Sequence, residues 1–169
     1  MTPERNDADR AALVRQHVSL GWFFVGGFSA LGLLLEGLHG WKVDWYAGAA
    51  GETRRMMWTL AHGTLLGLAQ VAFGHSVPLV PTVSLPRLRL ASRCLVAAAV
   101  LLPMGFFLGG AVIHDGDPGL GIALVPVGAA LLIVAAIVIG LAVRSVSAQP
   151  EVREPPRRAR SRERAGRAE

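Results

Sequence analysis

VSLGWFFVGGFSALGLLLEGL, residues 18–38, carries a single ionisable side chain, Glu36. About 20 residues at ~1.5 Å rise cross the ~30 Å hydrocarbon core of a bilayer, so a run of this kind reads as a transmembrane helix. Three more runs follow: Met56 to about Gly74, Cys94 to Ile113, and Gly119 to Val143. A core helix of a water-soluble protein would carry a polar face at helical period, and these runs have none. The rest of the composition agrees, with 52% hydrophobic residues and a mean hydropathy of +0.44. The expected fold is therefore all-α: a polytopic integral membrane protein with four transmembrane helices in an antiparallel bundle.

The basic residues orient the bundle. Arg5, Arg10 and Arg15 precede the first run, Arg87, Arg89 and Arg93 separate the second from the third, and eight arginines from Arg144 to Arg167 follow the fourth. Four crossings put all of these on one side and leave only Lys42, Arg54 and Arg55 on the other. Short positively charged segments stay in the cytoplasm, so both termini are expected there. The domain reading is a cytoplasmic N-terminal segment (1–17), a membrane domain (18–144, spans about 18–40, 56–75, 92–114 and 119–143) and a disordered basic cytoplasmic tail (145–169). The expected location is a bacterial inner (plasma) membrane. Residues 1–17 are polar and mixed in charge, and no small-residue cleavage pattern follows the first run, so that helix is expected to stay in the protein.

The tail has too few apolar residues to offset its ordering entropy. Its arginines suit anionic lipid, at about 1 kcal/mol for each basic residue near the surface. The absence of aromatics from the tail argues against nucleic acid. The connector SVPLVPTVSLPRLRL (76–90), with Pro78, Pro81 and Pro86, reads as extended and semi-rigid. Cys94 is the sole cysteine, so an internal disulfide is excluded and the residue reads as a small apolar one. Small-residue pairs offer close helix contacts at Gly26/Ala30, Gly63/Gly67, Gly105/Gly109 and Ala136/Gly140. Pro103 and Pro126 are expected to kink the third and fourth spans.

The polar residues inside the spans are the candidate site. Ser29, Gly32, Glu36 and His39 share one helical stripe, which is expected to face the bundle interior. Ionisable residues at membrane depth mark ligand sites, proton paths or pairing partners. Glu36 lies six residues before Lys42 and His62 seven after Arg55, so both sit ~9–10 Å below the nearest outer charge. His114, in VIHDGDPG, closes the third span, with Asp115 and Asp117 above it and Asp117 as a candidate lid. Glu36, His39, His62 and His114 are thus expected to meet in the outer half of the bundle. His17 and His75 belong to the opposite end.

Imidazoles with one carboxylate suit a single transition-metal ion held by Glu36, His39, His62 and His114. Haem b is the competing cofactor, with His62 and either His39 or His114 as axial ligands and Gly63 and Gly67 making room for the ring. The bland alternatives are Glu36 pairing with Lys42, Arg54 or Arg55, and histidines bonded to backbone carbonyls. Trp41, Trp45, Tyr46 and Trp58 read as an interfacial belt. No Ser-His-acid order, phosphate loop or catalytic carboxylate pair is present, so no reaction is assigned. Three functions stay open: a metal or haem centre for electron transfer, metal handling or a small redox step; an accessory or assembly subunit of a larger membrane complex; and a proton- or ion-coupled carrier acting as a homo-oligomer.

Overall fold

The computed structural model describes residues 3–147; all but the first three residues of the tail (145–169) lie outside them. It contains four helical segments long and apolar enough to cross a membrane, Glu4–Gly40, Glu52–Leu79, Leu85–Ala111 and Leu120–Ser145.

The first segment is one uninterrupted helix, α1 (Pro3–Gly40). At 38 residues it is about 57 Å long, nearly twice what a hydrocarbon core requires. Its polar first third is fastened to the connector after the second segment. The Arg10 guanidinium donates to the carbonyls of Val80 (3.3 Å), Pro81 (3.1 Å) and Val83, and Asp9 pairs with Arg89 at 2.9 Å. Leu13 is buried with Val77, Val80 and Val83 from the same connector. The prolines there do not hold an extended spacer; they shape a 3-10 turn (Val77–Leu79) and a bend whose valines form part of the core.

A short helix, α2 (Asp44–Ala47), follows α1, and the second segment then comes in two pieces, α3 (Glu52–Ala61) and α4 (Thr64–Ser76). Between them His62 (φ −77°, ψ 89°) and Gly63 (φ −90°, ψ 47°) leave helical geometry. The break redirects the chain: α4 packs along α1, while α3 packs along α5 (Leu85–Ala111). At this break α5 comes close: a Cβ on Gly63 would lie 3.2 Å from the Pro103 ring and 3.0 Å from a Leu66 methyl, a tight fit that a glycine relieves.

Close backbone contact holds the pairs together. A Cβ on Gly21 would lie 2.7 Å from the Gly67 carbonyl oxygen, and one on Gly67 would lie 2.7 Å from the Val25 nitrogen. Helix α5 meets α6 (Leu124–Ser147) in the same way at Gly105 and Gly128. Of the small-residue pairs expected, Gly26/Ala30 and Ala136/Gly140 make no such contact: both glycines face open space, and Gly21 and Gly128 serve instead. Pro103 lies inside α5, as expected, and the expectation for Pro126 changes: it falls in the first turn of α6, where a missing N–H costs no helical bond.

The loops at the α1/α3 end are knit by aromatics. Trp58 stacks on Phe107 (centroids 5.2 Å apart) and on Tyr46 (6.1 Å), and Trp45 meets it edge-on at 5.7 Å. Trp41 alone stands clear of this group, 80% exposed. Helix α5 runs into a small antiparallel hairpin, β1 (Ile113–His114) with β2 (Asp117–Pro118). Asp115 (φ 50°) and Gly116 (φ 90°) make the turn, the left-handed pair that a two-residue Asp-Gly hairpin uses. Thr53 Oγ1 donates to the Gly116 carbonyl at 2.7 Å and ties the hairpin to α3. Outside the bundle, Phe23, Leu33 and Leu65 are each more than three-quarters exposed, an arrangement that hydrocarbon stabilises and water does not.

Candidate functional site

Because α4 stays with α1 while α3 leaves it for α5, a groove opens between α1 and α3. It encloses a cavity of about 710 Å³. Helix α1 contributes Gly32, Leu35, Glu36 and His39; α3 contributes Glu52, Arg55, Met56, Thr59 and Leu60; His62 closes its floor at the break. Glu36, His39 and His62 therefore border one space. His114 does not line it, because the hairpin turn carries that residue onto a strand, where it is exposed and pairs in register with Asp117. Gly32, Glu36 and His39 of the α1 stripe face this groove and not a closed interior, with Glu36 and His39 exposed and Leu35 beside them buried; Ser29 is exposed and does not line it.

Among the described residues, no three His, Cys, Asp or Glu side chains stand close enough to hold a metal ion. The room expected for a porphyrin beside Gly63 and Gly67 is filled by Leu66 and Pro103 at the first and by Val25 at the second. Nor is Glu36 neutralised as the bland alternative supposed. Arg54 donates to the carbonyls of Trp45 (2.9 Å) and Gly110 (3.2 Å), and Arg55 donates to that of Ala47 (3.1 Å). Among the described residues the Asp9–Arg89 contact is the only ion pair, which leaves the carboxylates of Glu36 and Glu52 unmatched.

His62 has a defined chemistry. Its Nδ1 lies 2.6 Å from the Thr59 carbonyl oxygen. A carbonyl can only accept, so Nδ1 carries the proton, and the neutral ring keeps its lone pair on Nε2. The ring lies against Gly32, where a Cβ would come within 3.3 Å of it. His75 makes the same bond to the Val71 carbonyl at 2.9 Å without lining the groove, so this bond alone serves any helix end. What distinguishes His62 is the space in front of it.

A second polar group sits at the arginine-rich end, where sequence reasoning set His17 aside. His17 and Gln70 are fully buried and Ser92 is 5% exposed. Gln70 Nε2 donates to the Leu95 carbonyl (3.1 Å), so its Oε1 faces His17 and accepts from Nδ1–H at 2.5 Å. Ser92 Oγ then donates to His17 Nε2 at 2.7 Å. The chain of bonds joins α1, α4 and α5, and among the described residues no buried side-chain nitrogen or oxygen lacks a partner. Depth matching would have found it: His17, Gln70 and Ser92 all lie within a few residues of the arginine-rich ends of their runs.

Compared with protein-family models, with curated proteins and with solved structures, the chain matches none.

Proposed function

We propose that this chain is a multi-pass integral membrane protein of a bacterial plasma membrane, with both termini cytoplasmic, that binds a ligand in the groove between α1 and α3. The observation that carries this reading is the break at His62–Gly63. Non-helical backbone at membrane depth is tolerated only where protein buries it or where it lines a cavity. Interrupted spans with polar residues at their ends are how membrane carriers build binding sites. Helix α3 has 10 residues, about 15 Å, so the floor of the groove lies near the bilayer midplane and its mouth at the outer surface.

A single metal ion on Glu36, His39 and His62 would require these side chains to draw together, and a cavity of about 710 Å³ suits a larger occupant. The ligand-binding reading fits both an accessory subunit and a carrier. Native mass spectrometry of the full chain, gently extracted, tests it. The expected result is a discrete non-protein mass retained by the wild type and lost in Glu36→Gln and in His62→Ala. Wild type and variants with identical spectra would refute the groove as a binding site.

A further inference from the structure

We propose that the groove holds the headgroup of an amine-bearing phospholipid, a phosphoethanolamine type, entering sideways from the outer leaflet. This rests on the reading of the groove as a membrane ligand site and names its occupant.

The argument begins with the order of side chains from the mouth inward. Glu52 and His39 stand at the mouth, and Arg55 and Glu36 one turn deeper. Met56 and Leu60, one helical turn apart on α3, then form an apolar wall and are about half exposed along it, at 54% and 51%. Charge first and hydrocarbon next is the profile of a lipid, not of a soluble metabolite. The groove runs lengthwise between α1 and α3, so acyl chains can remain in the bilayer while the headgroup enters.

The signs of the charges select the headgroup. With neutral histidines the groove has two carboxylates and one guanidinium, and among the described residues none of them is paired with another. Arg55 is anchored through Nη1 to the Ala47 carbonyl, which fixes its position and leaves its other N–H groups for a phosphate. The two carboxylates then face the position an ammonium would take next to that phosphate. A primary ammonium donates three hydrogen bonds, whereas a trimethylated one donates none and an anionic headgroup would meet Glu36 and Glu52 with like charge. The cavity volume, about 710 Å³, is in the range that encloses a small organic group.

The test uses the full chain in detergent, titrated by native mass spectrometry with dioleoyl phosphatidylethanolamine, phosphatidylcholine and phosphatidylglycerol. The ethanolamine lipid is expected to bind about tenfold more tightly than the glycerol lipid, the size of one charge-assisted hydrogen bond. The preference should vanish in Glu36→Gln/Glu52→Gln and invert toward phosphatidylglycerol in Glu36→Lys. Both positions are exposed, and an unchanged melting profile of each variant separates lost binding from lost fold. Equal binding of the three lipids, or a preference that survives in the double variant, would overturn the assignment. So would full competition by soluble phosphoethanolamine, which would make the occupant a soluble amine. A different mass retained at the groove would overturn the lipid and keep the site; no retained mass at all would overturn both.

Discussion

Replacing Gly67 by alanine tests the close crossing that keeps α4 on α1 while α3 leaves it. The added methyl would lie 2.7 Å from the Val25 nitrogen and 2.9 Å from the Gly21 oxygen, both backbone atoms of α1 that cannot rotate away. Ordinary contact begins at 3.4 Å, so α1 and α4 must part by about 0.7 Å along much of their length. Overpacking of this kind costs about 1–3 kcal/mol, and the backbone partners put it at the upper end. Alanine returns about 1 kcal/mol in helix propensity, leaving a net loss of about 2 kcal/mol. Gly26→Ala on the partner helix α1 is the control: nothing lies within 4 Å of its added methyl, so it is expected to gain up to about 1 kcal/mol. Reversible unfolding in mixed micelles with increasing dodecyl sulfate measures both, and the two variants should differ by about 3 kcal/mol. If Gly67→Ala proves as stable as the wild type, the α1–α4 crossing is not as close as described and the account of the groove falls with it.

Other outcomes follow from the same geometry. Gln70→Leu removes the amide that bridges α1 and α5 and leaves the buried His17 Nδ1–H unmatched, which should cost about 1–3 kcal/mol in the same unfolding assay; an unchanged midpoint would show that the network does not hold α1 to α4 and α5. Gly32→Val should press on the His62 ring from 3.3 Å and lower ligand retention at the groove without lowering the unfolding midpoint much; full retention would place the ligand elsewhere. Cysteines at Gly48 and Gly116, in a Cys94→Ala background, should react with an impermeant maleimide on intact cells while one at Ser84 should not, and labelling of Ser84 would reverse the orientation.

The four long apolar segments were legible because hydropathy is a sum over many residues and tolerates local irregularity. The break in the second was not, because residues 56–74 contain no proline to mark it, and the tight approach beside Gly63 comes from the Pro103 ring, forty residues on. The small-residue pairs failed for a related reason. A pair one turn apart marks a face, but which face meets a neighbour depends on where that neighbour runs, and Gly21 rather than Gly26 lies on the line that α4 follows. Glu36 and His39 could be set on one side of α1 because helical period is local. His114 could not, since a helical depth was assigned to a residue that an Asp-Gly turn draws into a strand; that dipeptide was the available signal. His17 was overlooked because depth was matched at one end of the bundle only.

The change of partner along the second segment also orders events during synthesis. A chain is made from its N-terminus, and early parts associate before late ones exist. When α3 and α4 emerge, α4 already has its mate in α1, but α3 has none until α5 is made. Glu52, Arg55 and His62 therefore wait for α5 to acquire their setting, although they are synthesised before the connector at residues 77–84. A nascent chain stalled at that connector would hold the first crossing intact with one wall of the groove still unsupported.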